Sequence, residues 1–239
     1  MHHDKARILS IETGGDICSV ALSHGDELLS LRESNTSRNH ARDLALFIEE
    51  IFRENDIDGG DLDAVAVSKG PGSYTGLRIG VSVAKGLCYG SNIKLIAIPS
   101  LEVLVQSVIE DFEAGILGID SLKNAVLSPM IDARRMEVYQ QLFSHEGNPI
   151  SELQPHIITP ESFEEYRDCE KFLIFGSGAK KCEEVLQIKG LEFVEATQSA
   201  RAMVELANRR FVNGQFEDVA YFEPLYLKEF VAAPAKKLL

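Results

Sequence analysis

The chain lacks the features that mark several protein classes. Its four cysteines, Cys18, Cys88, Cys169 and Cys182, are scattered without a C-x-x-C pair. That excludes a zinc ribbon or disulfide framework and fits a reduced, cytoplasmic setting. No apolar run approaches the roughly 18 residues a membrane-spanning helix needs, so no membrane association is expected. The apolar stretch after Arg7 meets Glu12 too soon to be the core of a secretion signal. Basic residues are scarce: 24 Lys and Arg face 37 Asp and Glu over 239 residues, a formal charge of −13. Phosphate backbones require clustered Lys and Arg, so any nucleic acid is expected to be met only indirectly, through a partner. Paired histidines are missing too. His40 has Leu44 one turn on, and His24, His145 and His156 have no suitably spaced companion, so no metal ligand set is expected. His2 and His3 carry no weight.

What is present suffices for a packed core, with 45% hydrophobic and 26% charged residues. The length fits one large or two modest domains. Alternating apolar patterns predict strands at 7–13, 18–22 and 28–32, separated by the turn signals Gly14-Gly15-Asp16 and His24-Gly25-Asp26. A helix follows over 37–55 with Ser37 as its N-cap, then a buried-type strand at 64–67. A Gly-rich loop at 70–76 leads into a helix over 75–89, a strand at 94–98 and a helix opening at Pro99-Ser100. The second half repeats the plan. A strand at 126–131 ends at Asp132, as the first ended at Glu12, and a strand at 138–143 leads to Ser144-His145. A third strand begins at Ile150, a helix covers 160–167, a strand covers 172–175, and Gly176-Ser177-Gly178 opens another helix. Glu12 and Asp132 are 120 residues apart, and His24 and His145 are 121 apart. A β-β-β-α-β-α unit used twice predicts an α/β fold of two lobes with a cleft between them. That is the duplicated actin-like (ASKHA, ribonuclease H-like) architecture. The expected lobes are residues 1–112 and a smaller 113–239, with a helix near 199–212 that can pack back on the first lobe.

The most distinctive segment is Lys69-Gly70-Pro71-Gly72-Ser73-Tyr74-Thr75-Gly76. Its amides could form an anion-binding nest at a helix N-terminus, or it is a tight strand-to-helix turn that needs unusual backbone angles. It is not a P-loop, because Leu77 follows Gly76 where Lys is required, and it is neither G-x-G-x-x-G nor a G-x-S-x-G elbow. The candidate ligand or loop residues are Glu12, Gly70, Gly72, Ser73, Thr75, Arg78 and Asp132. Glu12 and Asp132 stand at strand ends, where a magnesium-linked acid sits in an ATPase of this fold. An ATPase or small-molecule kinase is therefore the competing reading. Yet Asp132 is followed by Ala133-Arg134-Arg135-Met136, with no glycine to admit phosphates. The two arginines either bind an anion or are solvated turn charges. The helix over 37–55 has an apolar arc of Ala41, Leu44, Ala45, Phe47, Ile48, Ile51 and Phe52. Such an arc serves a core and an interface together, or a broad packing on its own sheet. The helix over 75–89 carries a narrow polar stripe of Arg78, Ser82, Lys85 and Tyr89, with Gly76 and Gly80 opposite it for close backbone approach. The 232–237 run reads as a frayed tail.

The stretch Ser68-Lys69-Gly70-Pro71-Gly72-Ser73-Tyr74-Thr75-Gly76-Leu77-Arg78-Ile79-Gly80 closely resembles the hallmark of the TsaB (YeaZ) family. These are bacterial accessory proteins in the synthesis of threonylcarbamoyladenosine in tRNA. Supporting segments are Ile11-Glu12-Thr13, Cys18-Ser19-Val20-Ala21-Leu22, Asn39-His40, Asp132-Ala133-Arg134, Glu137-Val138-Tyr139 and Pro224-Leu225-Tyr226-Leu227, with the match strongest over 8–104. TsaD, the catalytic relative, carries a paired-histidine metal motif on its first helix, where this chain has Leu44 as the second residue. Gly14-Gly15 stands where the family often has hydroxyl residues, which does not suit nucleotide phosphates. The resemblance implies an actin-like fold with no catalytic residues and no cofactor of its own, with ATP and metal held by partner subunits. The implied partners are a TsaD-like catalytic subunit and a TsaE-like ATPase, with a homodimer when the chain is alone. The resemblance also implies a partner face on the first two helices, here Ala41, Leu44, Ala45, Phe47, Ile48, Ile51, Leu77, Val81 and Lys85.

Overall fold

The chain builds two mixed sheets that share one strand order. A computed structural model describes residues 5–34 and 40–228; Ser37, Asn39 and the 232–237 tail lie outside the described residues. The first sheet uses β1 (Arg7–Glu12), β2 (Cys18–His24), β3 (Glu27–Ser34), β4 (Ala64–Gly70) and β5 (Lys94–Pro99) in the order β3-β2-β1-β4-β5. The second uses β6 (Val126–Asp132), β7 (Glu137–Gln140), β9 (Gln154–Ile157), β10 (Phe172–Phe175) and β11 (Leu191–Val194) in the order β11-β10-β6-β7-β9. The short β8 (Phe143–Ser144) also pairs with β6. Read from the other edge, the second order is the first repeated. In each sheet the first strand is antiparallel to the second and parallel to the fourth. The duplicated α/β architecture is therefore present in the strands.

The helices are α1 (His40–Asn55), α2 (Tyr74–Ser91), α3 (Ser100–Glu113) and α4 (Met203–Val212). One face of the first sheet packs on α1 and α2 through Leu9, Ile11, Val20, Leu22, Leu44, Ile48, Ile51, Val65, Val67 and Val81. Its other face offers Ala21, Ala64 and Ala66, and these small side chains admit α4 through Met203, Leu206 and Ala207. The helix expected near 199–212 thus rests on the first sheet, although it belongs to the second half of the sequence. Helix α3 reaches the second sheet through Leu101, Leu104, Val105 and Val108, against Leu127, Ile131, Phe143 and Phe175. Its Val103 joins the α4 cluster, so α3 is shared by both halves.

The second half departs from the expected plan at four places. The strand expected over 138–143 is interrupted at Gln141 and Leu142, opposite Ser128 and Pro129 of β6. Pro129 has no N–H to give the ladder, and the Leu142 amide donates to Ser151 Oγ instead (2.8 Å). The strand expected from Ile150 begins at Gln154, because Ile150 is tied back to the Leu142 carbonyl (2.8 Å). The 160–167 helix is only a 3-10 turn over Glu164–Tyr166, since Phe163 before it adopts a left-handed φ of 62°. After Gly176, residues 177–185 form successive turns whose bonds mix i+3 and i+4 spacing, not an α-helix. A run that short gains too little to propagate a helix.

Four positions with positive φ bear on the candidate site, and glycine takes two of them without strain. Gly70, at the end of β4, has φ 105° and lies against the Leu225 carbonyl; Gly176, at the matching end of β10, has φ 92°. At the tip of the β6–β7 hairpin, Arg134 (φ 73°) and Arg135 (φ 51°) are both left-handed. That costs a non-glycine residue ~1 kcal/mol or more each.

The packing of α2 on β1 needs glycine. A methyl group on Gly76 would overlap the Thr13 carbonyl oxygen, and one on Gly80 would overlap the Thr13 hydroxyl. Gly86, on the outer side, has nothing within 4 Å. Urea unfolding is expected to show Gly76→Ala losing ~3 kcal/mol or more, while Gly86→Ala gains ~0.5–1 kcal/mol.

Candidate functional site

The hallmark loop is filled by its own chain. The Ser73 amide donates to the Gly14 carbonyl (2.7 Å), the Gly76 amide donates to Ser73 Oγ (3.2 Å), and the Leu77 amide donates to the Ser73 carbonyl (2.9 Å). These are amides that an anion nest would need. Thr13 Oγ1 donates to the Gly76 carbonyl (2.8 Å), and Gly72 lies against the Gly14 carbonyl. From outside, the segment 217–228 crosses the loop. Glu217 bridges to Leu95, Lys85 Nζ donates to the carbonyls of Ala220 (3.2 Å) and Phe222 (2.9 Å), and the Leu225 amide donates to the Lys69 carbonyl (2.7 Å). The Tyr226 ring meets Tyr74 at 4.9 Å, and Arg78 lies 4.8 Å over the Tyr74 ring. Thr75 stays exposed at the first turn. The loop is thus a packed strand-to-helix turn. Gly70, Gly72, Ser73 and Arg78 are brought together around residues 13–14 and the C-terminal segment.

Glu12 and Asp132 do not share a site. Glu12 has no accessible surface. Its Oε1 accepts from the Gly14 amide (2.5 Å) and Ser68 Oγ (2.9 Å), while Oε2 is buried without a partner among the described residues. Burial pushes its carboxyl up to about 7 from an ordinary 4.5, against the lowering effect of the Gly14 and Ser68 hydrogen bonds. Asp132 is half exposed, pairs with Lys181, and accepts from the Arg134 amide (3.0 Å). Glu12 is thus sealed from ligand while Asp132 is engaged by Lys181 at the surface.

On the helices, the proposed partner residues divide into two sets. Leu44, Ile48, Ile51, Leu77 and Val81 are buried in the chain's own core and present nothing to a partner in this structure. Lys85 is engaged with the 217–228 segment. Ala41 and Ala45 are exposed on one flank of α1, and Phe47 is half-buried on the other. Sequence reasoning missed Leu46, which is 42% exposed on α1. On α2 the half-buried Ile79, Val83 and Leu87 flank the exposed Gly86 and Gly90. At 100° per residue these five share one stripe, away from Arg78, Ser82 and Tyr89.

Comparison with known proteins fits this arrangement. The family model for TsaD, tRNA N6-adenosine threonylcarbamoyltransferase, matches residues 33–236. The tRNA threonylcarbamoyladenosine biosynthesis protein TsaB of Escherichia coli is 28% identical over 95% of this chain and 96% of its own length. TsaB of Bacillus subtilis is 32% identical over 62% of this chain and 59% of its own. YeaZ from Pseudomonas aeruginosa superposes with a TM-score of 0.75 at 24% identity, covering 93% of this chain and all of the other. The chain belongs to the TsaD-type family, in its TsaB (YeaZ) branch. Within that branch, the hallmark loop of this TsaB-type chain holds α2 against β1 and is closed over by the chain's own C-terminal segment. Among the described residues no helix is long and apolar enough to cross a membrane.

The buried Glu12 makes stability depend on pH. Its folded pKa lies above its unfolded one, so its contribution is complete below about pH 4.5 and is lost as pH rises through about 7. Glu12→Gln keeps an acceptor for Gly14 and Ser68 and removes the titration. Between pH 5 and 8, urea unfolding should show wild type losing up to ~3 kcal/mol relative to Glu12→Gln. Parallel curves for the two proteins would show that Glu12 does not titrate in this range.

Proposed function

We propose that this chain is a non-catalytic subunit in the synthesis of threonylcarbamoyladenosine in tRNA, acting by docking on and supporting a TsaD-like catalytic subunit. The observation that carries the reading is the uncovered face of α1 and α2. Ala41 and Ala45 share an exposed flank of α1, and on α2 the half-buried Ile79, Val83 and Leu87 run along one stripe with Gly86 and Gly90. Gly86 and Gly90, one turn apart with open space above them, let another backbone come close. Apolar side chains grouped at the surface mark a docking site. The names of the matched relatives, tRNA threonylcarbamoyladenosine biosynthesis proteins, support the pathway. The sealed Glu12 and the self-filled loop support a role without chemistry of its own, with ATP and metal on the partner subunits. The resemblance adds a TsaE-like ATPase docking on the pair, and self-association through the same face when the partner is absent. Nothing in the geometry favours the kinase reading.

The test places bulk and charge where the fold has room. Ala45→Arg and Gly86→Arg sit on exposed positions of α1 and α2, so thermal midpoints should stay within a few degrees of wild type. Isothermal titration against a TsaD-type subunit is expected to lose at least tenfold in affinity for each, because docking would bury an uncompensated guanidinium. Wild-type affinity in both variants would move the docking site off this face. Leu44→Asp is the contrasting case, expected to unfold the chain by burying a charge in its core.

A further inference from the structure

We propose that the tip of the β6–β7 hairpin is a contact site for the phosphate backbone of RNA. Arg134 and Arg135 occupy consecutive left-handed positions, where Asn or Gly is the comfortable choice, and both side chains are exposed. Neither guanidinium forms an ion pair among the described residues. This is not for want of acids close by, since the hairpin carries Asp132 just before the tip and Glu137 just after it. Those carboxylates are taken by lysines from elsewhere, Asp132 by Lys181 from the turns after β10 and Glu137 by Lys228 from the C-terminal segment. Lys181 Nζ also donates to the Glu137 carbonyl (2.8 Å), fixing that neutralisation in place. Two adjacent guanidinium groups are thereby left uncompensated on a strained turn, in a chain whose formal charge is −13.

Strain that persists at an exposed turn points to use of the side chains it displays. Guanidinium groups bind phosphate oxygens in a bidentate way, and two on adjacent residues can span successive phosphates of one strand. The rest of the acidic surface repels RNA, so the tip cannot capture it alone. It contributes once a partner holds the RNA. The inference rests on the proposed place of this chain in tRNA modification, and it adds a direct contact to what the composition alone makes indirect.

The test uses the complex with a TsaD-type catalytic subunit and a labelled tRNA transcript, with anisotropy titrations over a potassium chloride series. The double substitution Arg134→Asn with Arg135→Gly suits the left-handed backbone, so its thermal midpoint should equal or exceed that of wild type. The expected result is about tenfold weaker tRNA binding and a log–log salt slope smaller by ~1–2, one step for each phosphate no longer neutralised. Unchanged affinity and slope would overturn the proposal. So would loss of the catalytic subunit from the double variant, which makes the tip a protein contact. Weaker binding of ATP or pyrophosphate with tRNA binding intact overturns it as well. If the wild-type chain fails to bind the catalytic subunit, the accessory-subunit reading fails and this proposal falls with it. If the wild-type complex forms and binds tRNA while the variant matches it, only this proposal fails.

Discussion

Helix α2 rests directly on the backbone of residues 13–14, and the rest of the arrangement depends on that contact. No side chain fits between them: Gly76 touches the Thr13 carbonyl, Gly80 its hydroxyl, and Gly72 the carbonyl of Gly14. Once the helix is this close, Leu77, Val81, Ala84 and Cys88 become part of the chain's core. The amides of Ser73, Gly76 and Leu77 find partners within the chain. A loop whose composition suits an anion nest is thereby used as a turn. The outer side of α2 keeps an apolar flank of Ile79, Val83, Gly86, Leu87 and Gly90 beside the exposed Arg78, Ser82 and Tyr89.

The same closeness explains what became of the cleft. Glu12 ends β1 directly beneath this contact, and its side chain is shut in with Ser68 and the Gly14 amide. A carboxyl that would hold magnesium must be ionised and must be reached by ligand. Full burial opposes both, raising its pKa to about 7 and leaving Oε2 without a partner among the described residues. At the matching strand end of the second half, Asp132 went the other way, onto the surface and into a pair with Lys181. The strand order survives the duplication while its two strand-end acids have opposite environments. One acid is thus sealed inside the fold and the other is engaged at the surface.

The order of elements along the chain and the duplicated plan were legible because buried-type strands have short, dense apolar patterns that end at recognisable turns. The 172–175 strand and the turn-bounded strands of the first half show this directly. Of the second-half helices, the one near 199–212 was legible, but those expected over 160–167 and after Gly176 do not form. Their failure depends on one left-handed Phe163 and on a run too short to propagate, neither of which has a compositional sign. The break between β7 and β8 was available in principle, since Pro129 in the facing strand cannot donate to the ladder. At the candidate site the two helices were legible but not their outward sides. Both are apolar over more than one stripe, and hydrophobicity alone does not separate Ile48, which is core, from Ala45, which is exposed. The resemblance picked out Pro224-Leu225-Tyr226-Leu227, but the closure of the loop by 217–228 was not legible, because a segment held by its carbonyls on Lys85 and its Leu225 amide on the Lys69 carbonyl needs no periodic pattern.

Charge then discriminates between the occupants that an apolar face admits. Two copies docked through α1 and α2 would bring together chains of formal charge −13 each. The repulsion extends over roughly 8 Å at physiological salt and slows encounter between like-charged chains. A basic partner meets no such barrier and gains in association rate from the same field. With docking through this face as proposed, the apolar stripe supplies adhesion without choosing a partner, and the net charge of −13 supplies the choice. On the proposed docking reading, the homodimer is then the weaker use of the face, and a complex with a basic partner is the one that the chain's net charge favours.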